Sequence, residues 1–207
     1  MKKLLAVFVA ICCLSAIFCV SVSAAGEKEV LVVVENSDGS IKVDINTGFA
    51  CGAIQGALKY DGDQIVYQSS DIADALTAAN APSNSFANSS GTTKVALVCA
   101  ANGGVQGNLA SVTYSADEYT PALFDFTALK AFGAAGERLN DVSVVTVMYG
   151  DANNNGLVTV TDLVRFKMIL LNETSVVAGK ERNLDVNKDG VSSTVNDMME
   201  LRRSLLD

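Results

Sequence analysis

Two stretches near the C-terminal end carry oxygen-bearing side chains at regular intervals, an arrangement suited to holding a metal ion. In the first, Asp151, Asn153 and Asn155 stand at alternate positions, Gly156 comes next, and Asp162 lies a short way on. In the second, Asp185, Asn187, Asp189 and Gly190 repeat the arrangement. Side-chain oxygens at the first, third and fifth places, a glycine for a sharp turn at the sixth and a backbone carbonyl at the seventh wrap a hard cation that takes six to eight oxygen ligands. The seventh-place carbonyls belong to Leu157 and Val191. One such cluster could be a simple turn. Two in tandem, each leading into an apolar-periodic stretch, predict a pair of calcium loops and hence two Ca2+ ions.

The twelfth place closes such a loop with a carboxylate. In the first loop it is Asp162. Counted strictly, the second loop has Asn196 there; with a one-residue bulge it has Asp197. The match of Asp197-Met198-Met199 to Asp162-Leu163-Val164 favours Asp197. Loop one has a neutral Asn155 where loop two has Asp189. Its charged ligands reduce to Asp151 and Asp162, and affinity falls with ligand charge, so site one should be the weaker.

Composition excludes much else. The 207-residue chain has no His and no Trp, 23 acidic against 15 basic residues, and a formal net charge of -8. Without His there is no Ser/His or Cys/His nucleophile and none of the usual zinc sites. An acidic chain repels nucleic-acid phosphates, so no nucleic-acid partner is expected. A glycosidase needs two carboxylates in a shaped cleft. Asp61/Asp63 and Asp71/Asp74 can be paired by counting, but both fall in turn-like sequence. The expectation is therefore a protein without catalysis.

Periodicity indicates the scaffold around the loops. Lys2 and Lys3, the apolar run Leu4 to Val20 and the small residues Val22-Ser23-Ala24-Ala25 read as a cleaved signal peptide over residues 1–25. That predicts a secreted, extracellular protein with no membrane anchor after cleavage. From Val30 to Val147, short alternating runs separated by Gly, Asn, Asp and Pro predict a mostly β domain, a jelly-roll β-sandwich, over residues 26–149. The runs are Val30 to Glu35, Ile41 to Ile45, Gly52 to Tyr60, Ile65 to Tyr67, Lys94 to Ala100, Leu109 to Ser115, Leu123 to Leu129 and Val142 to Met148. Alanine-rich Ala73 to Ala81 suggests one short helix. Beyond Tyr149 the texture changes, and helices are expected over Leu163 to Leu171 and Met198 to Leu206. Leu163, Phe166, Ile169 and Leu170 would form the inner face of the first; Met198, Leu201 and Leu205 would form that of the second. The boundary at Tyr149–Gly150 has no Pro/Ser linker, which predicts a rigid junction. Among the residues left after cleavage, Cys51 and Cys99 are the only cysteines. They are read either as one disulfide or as two buried thiols.

Residues 150–207 resemble type I dockerins, the docking plugs of cellulosomes and related extracellular complexes. These carry tandem loop–helix repeats with Asp, not Glu, at the last ligand position. The resemblance implies a small all-α module with two calcium-binding loop–helix motifs, and a cohesin domain of a scaffold protein as partner. It also implies contact residues before the last ligand and along each helix: Val160, Thr161, Arg165 and Lys167, then Thr194, Val195, Arg202 and Arg203. The N-terminal half resembles cohesin-like and carbohydrate-binding-like jelly rolls. The resemblance rests on Ile41-Lys42-Val43-Asp44-Ile45, on Gly52 to Asp61, on Lys94 to Cys99 and on Gly107 to Tyr114. In such a fold the strands holding Cys51 and Cys99 are antiparallel neighbours, which implies a bridge between them. The sandwich would then be a protein-binding adaptor, with a polysaccharide-binding module as the alternative. Stacking on sugars would fall to Tyr67, Tyr114 and Tyr119, Tyr60 being assigned to the core. A glycoside hydrolase carried by the docking module is the remaining reading.

Overall fold

The computed structural model describes residues 28–37, 39–73, 76, 85–99 and 103–206. The signal segment and most of the alanine-rich stretch at residues 73–81 lie outside the described residues.

Among the described residues nine strands precede two helices: β1 Lys28–Ser37, β2 Ser40–Lys59, β3 Val66–Ile72, β4 Ser85–Ser89, β5 Thr92–Val98, β6 Val105–Ser115, β7 Asp125–Gly133, β8 Arg138–Leu139, β9 Val142–Val147, α1 Val160–Leu170 and α2 Val195–Ser204. The expected runs Ile41 to Ile45 and Gly52 to Tyr60 are one 20-residue strand, and that strand organises the domain. Its first half pairs with β1 on one side and β6 on the other, giving the order β3-β6-β2-β1-β9. Its second half pairs with β5 and β7, which carry β4 and β8 at the outer edges. β2 thus passes from one layer to the other. The crossing lies where its ladder with β6 loses register, between Thr47 and Cys51. There the backbone of Gly52 runs so close to β7 that an added Cβ would stand 2.1 Å from the Gly133 carbonyl oxygen. Only glycine fits such an approach.

The period-2 pattern fills the space between layers. Ile41, Val43 and Ile45 point inward beside Val30, Val32 and Val34, and meet Ile54, Leu58, Val95, Leu97 and Phe126. The ring of Tyr114 is fully buried, 4.8 Å from that of Tyr60 and 4.9 Å from that of Phe124. Its hydroxyl donates to Thr93 Oγ1 at 3.0 Å, which satisfies the polar tip. Tyr114 therefore cannot stack on sugar, contrary to its place among the candidate aromatics. Tyr67 is half-buried with its hydroxyl on Ser70, and Tyr119 is exposed.

Two strands escaped the sequence reading. β4 (Ser-Phe-Ala-Asn-Ser) and the two-residue β8 are short edge strands with almost no apolar alternation. β7 starts two residues later than expected and runs to Gly133, because the preceding backbone is engaged elsewhere: the Ala122 N–H donates to the Gly156 carbonyl at 2.7 Å. Cys51 and Cys99 are brought together as expected, with the Cys99 N–H on the Gly52 carbonyl at 2.7 Å. In the structure both are buried, side by side, as free thiols. The hydrogen bond with Cys99, and then burial, push the Cys51 thiol far above its ordinary range.

Candidate metal centre and docking face

Each loop winds around its first aspartate. In loop one the Asn155 N–H donates to Asp151 Oδ1 at 3.0 Å and the Gly156 N–H to Oδ2 at 2.8 Å. Asn153 Oδ1 also accepts from Asn155 N at 2.9 Å, and Asn155 Oδ1 from Leu157 N at 3.0 Å. Loop two repeats every bond. Asp185 Oδ1 and Oδ2 accept from Asp189 N and Gly190 N, both at 3.0 Å. Asn187 Oδ1 takes Asp189 N at 3.0 Å, and Asp189 Oδ1 takes Val191 N at 2.8 Å. The backbone turns through positive φ at Asn154 and Gly156 and again at Lys188 and Gly190. The sixth place must be glycine in loop one for a second reason: a Cβ on Gly156 would lie 2.9 Å from the Ala122 nitrogen.

The closing carboxylates fall into equivalent places. Asp162 Oδ1 accepts from Asn153 N at 3.2 Å and Oδ2 from Thr159 N at 2.9 Å. Asp197 Oδ1 accepts from Asn187 N at 3.2 Å and Oδ2 from Thr194 N at 2.9 Å. Asp197 and not Asn196 thus stands where Asp162 stands. The extra residue is absorbed just before the helix, at Ser193, whose φ is +63°. Both helices begin three residues earlier than expected, because Thr159 and Thr194 act as N-caps in capping boxes with Asp162 and Asp197 at the third helical position. The closing carboxylate of each loop is therefore inside its helix, and loop closure and helix start are one event.

The donor set suits a hard cation. Asp151 and Asp162 are 2% and 0% exposed, and among the described residues no Lys or Arg forms an ion pair with either. Burial first, and the charge of Asp162 after it, hold the Asp151 carboxyl above the usual carboxylate range despite three backbone N–H bonds. Two buried carboxylates without a counter-charge are costly, and a cation between them relieves both. No three acidic, His or Cys side chains gather at one point among the described residues. The available ligands are mixed carboxylate, carboxamide and carbonyl oxygens, the choice of calcium rather than of zinc.

One carboxyl of each loop is shifted, and the two shifts run in opposite directions. Asp151 has a raised carboxyl pKa, so it takes a proton first as pH falls. Burial opposes the charge of Asp197 too, but the Thr194 hydroxyl and backbone N–H groups outweigh it and lower its pKa. The stability Asp197 contributes is present above its unfolded pKa and lost only as pH falls through the lower folded one. Protons compete with the cation for these oxygens. A calorimetric calcium titration repeated at falling pH should therefore show loop one failing first; loss of loop two first would contradict this.

The proposed contact residues divide. Val160 and Val195 are 65% and 61% exposed at the helix starts. Thr161, Lys167, Arg202 and Arg203 are also exposed, with Arg203 paired to Glu200 at 2.5 Å. Thr194 is half-buried and spends its hydroxyl on the cap. Arg165 is turned back, its Nη2 donating to the Ser175 carbonyl at 3.3 Å and its Nε buried without a hydrogen-bond partner among the described residues. These last two serve the module more than its surface. Sequence reading missed Val164, Met168 and Leu171 on α1 and just beyond it, and Met199 and Leu206 on α2 and just beyond it, all exposed. They continue from Val160 and Val195 along the same outer faces. Spacing by four was the available signal, but apolar residues on a helix are assigned to the core by default. The inner faces are as expected: Phe166, Ile169, Leu184 and Leu201 are buried with Ala152 in a small core of their own, against Leu163, Leu170, Met198 and Leu205.

The two halves interlock. Asn183, 2% exposed, receives the Met148 N–H on its side-chain oxygen at 3.2 Å and donates to the Asp151 carbonyl at 3.0 Å. Its own carbonyl takes the Gly150 N–H at 2.7 Å. Lys180 Nζ reaches the Thr146 carbonyl at 3.0 Å, Arg182 pairs with Glu29, and Lys188 pairs with Glu35 while lying over the Tyr149 ring.

Residues 149–206 match the Dockerin type I domain. No curated protein matches the chain in sequence. Solved structures similar to it include a type II cohesin–X–dockerin complex from Acetivibrio cellulolyticus, with 14% identity, a TM-score of 0.49, and coverage of 58% of this chain and 96% of that one. CaCohA2 from Clostridium acetobutylicum has 15% identity, a TM-score of 0.47, and coverage of 61% and 95%. A non-cellulosomal cohesin from Archaeoglobus fulgidus has 14% identity, a TM-score of 0.43, and coverage of 59% and 87%.

Proposed function

We propose, from a chain whose residues 149–206 form a Dockerin type I domain, that this is a secreted, non-catalytic component that docks through calcium-ordered helices onto a cohesin of an extracellular scaffold protein. The reading is carried by the equivalence of the two loops, bond for bond, around Asp151 and Asp185, with Asp162 and Asp197 each closing a loop and capping a helix. Calcium, when bound, neutralises these carboxylates. Asp151, Asn153, Asn155, Leu157 and Asp162 would hold one ion; Asp185, Asn187, Asp189, Val191 and Asp197 would hold the other. The residues of the chain do the rest: Thr159 and Thr194 start the helices, and the helices present Val160, Val164 and Met168 on one side of the repeat and Val195, Met199 and Arg203 on the other.

The sandwich acts as the adaptor half, a protein-binding module of a cellulosome-type or related complex. Its outer layer supports this with a shallow depression of about 380 Å³ between β4, β5, β2 and β7, lined by small residues such as Gly56, Ala57, Ala87 and Ala96 and rimmed by Lys94 and Lys130. A depression lined by small residues and lysines, with no aromatic among them, suits another protein's side chains better than a sugar ring, which wants exposed aromatics.

The test is capture of the full chain by an immobilised panel of cohesins with calcium and after chelation. Capture that needs calcium supports the reading; binding by no cohesin, or binding indifferent to chelator, overturns it.

A further inference from the structure

The β-domain reaches into the first loop with a buried hydrogen bond, whereas inside the second loop it is met by the exposed Lys188. Loop one is held through two buried hydrogen bonds from outside itself. The Ala122 N–H, on the segment leading into β7, donates to the Gly156 carbonyl, one peptide before the Leu157 carbonyl that would face an ion. The Asn183 amide donates to the Asp151 carbonyl while its oxygen holds Met148, the residue just after β9. Ala122 is 3% exposed, and Leu123 packs against Gly156 so closely that a Cβ there would stand 2.9 Å from its side chain. Within loop two itself, from Asp185 to Asp197, the hydrogen-bonded tie to the β-domain among the described residues is Lys188, an exposed pairing with Glu35 together with a contact over the Tyr149 ring; just ahead of the loop, Asn183 is fastened to Met148 and Gly150. Exposed pairs of this kind contribute little, whereas buried, satisfied hydrogen bonds hold geometry.

We propose that Ala122 and Asn183 are positioning groups for the first cation site, so that filling loop one and locking the docking module onto the sandwich are a single equilibrium, while loop two fills independently of the sandwich. The inference rests on the calcium reading. It arises by linkage: whatever orders Asp151 and Gly156 strengthens their bonds to Asn183 and Ala122, and those bonds in turn pre-order the site. The β-domain thereby offsets the weakness that loop one inherits from Asn155.

The experiment uses the full chain, calcium as the probe, calorimetry for binding and amide hydrogen exchange for coupling. Two sites should appear in the titration. Calcium should slow exchange of the Ala122 amide at least about tenfold. Asp162→Ala should abolish that protection, and Asp197→Ala should leave it intact while removing the other site. Asn183→Ala should weaken loop one by roughly five- to tenfold, as expected for losing one buried hydrogen-bonding side chain, and leave loop two unchanged. Asn183→Asp keeps the acceptor for Met148 and loses the donor to Asp151, so it should recover the junction but not the affinity. Calcium heats without protection of Ala122, or protection lost in Asp197→Ala and kept in Asp162→Ala, would overturn the coupling alone. An absence of calcium heats would overturn the calcium reading and this inference with it.

Discussion

Chelation should abolish cohesin capture by the full chain, lowering its apparent affinity by a hundredfold or more, and should remove most of the helical circular-dichroism signal. The helices have 11 and 10 residues, shorter than the ~12–15 at which an isolated helix becomes marginal in water. Their shared core has five buried apolar residues among those described. So small a core supplies little free energy, and metal binding becomes folding energy in such modules. If one molecule in about a hundred remains folded without the ion, apparent affinity falls by that factor. Asp162→Ala with Asp197→Ala should reproduce the loss in the presence of calcium, because each substitution removes a ligand and half of a capping box together. Helical signal retained by the double variant would contradict this account, as would full capture in chelator.

Phe166→Ala should be the most damaging single change in the docking half. Phe166 is fully buried in a cluster with Ala152, Ile169, Leu184 and Leu201. Truncating a buried Phe costs about 3–5 kcal/mol, comparable to the entire stability a small core supplies. Differential scanning calorimetry of the full chain should show the C-terminal transition lost, even in saturating calcium, while the β-domain still melts cooperatively. The β-domain has its own core around Tyr114, Ile54 and Leu58 and does not depend on Phe166. A melting curve unchanged from that of the unsubstituted chain would show that the small core is not what holds the module.

Much of this was legible in the residues, and the reasons for the gaps are physical. Alternation at Ile41, Val43 and Ile45 announces a half-buried strand, and the structure buries those three. It does not announce that this run and the expected run from Gly52 are one strand joined through Thr47, because glycines at 48 and 52 break the pattern where the strand changes layers. Asp197 could be preferred over Asn196 by aligning Met198-Met199 with Leu163-Val164. The mechanism that admits the extra residue, a left-handed Ser193, leaves no mark in composition. Topology brought Cys51 beside Cys99, and proximity does not decide between a bridge and two thiols. Least visible was Asn183. It reads as an ordinary polar residue between repeats, and its role exists only once Met148 and Asp151 are folded around it.

The parallel pairing of β1 with β9 carries a mechanical consequence. Six residues from Lys28 to Val33 pair with Val142 to Val147, and the chain passes from Val147 to its first loop within four residues. Because the two strands run the same way, tension drawn between the leading end of β1 and the trailing end of β9 pulls along the ladder rather than across it. All of its rungs then share the load at once instead of opening one after another. A component held by its C-terminal plug and tugged from its N-terminal side would therefore resist in shear, with this parallel strand pair lying directly in the path of the force.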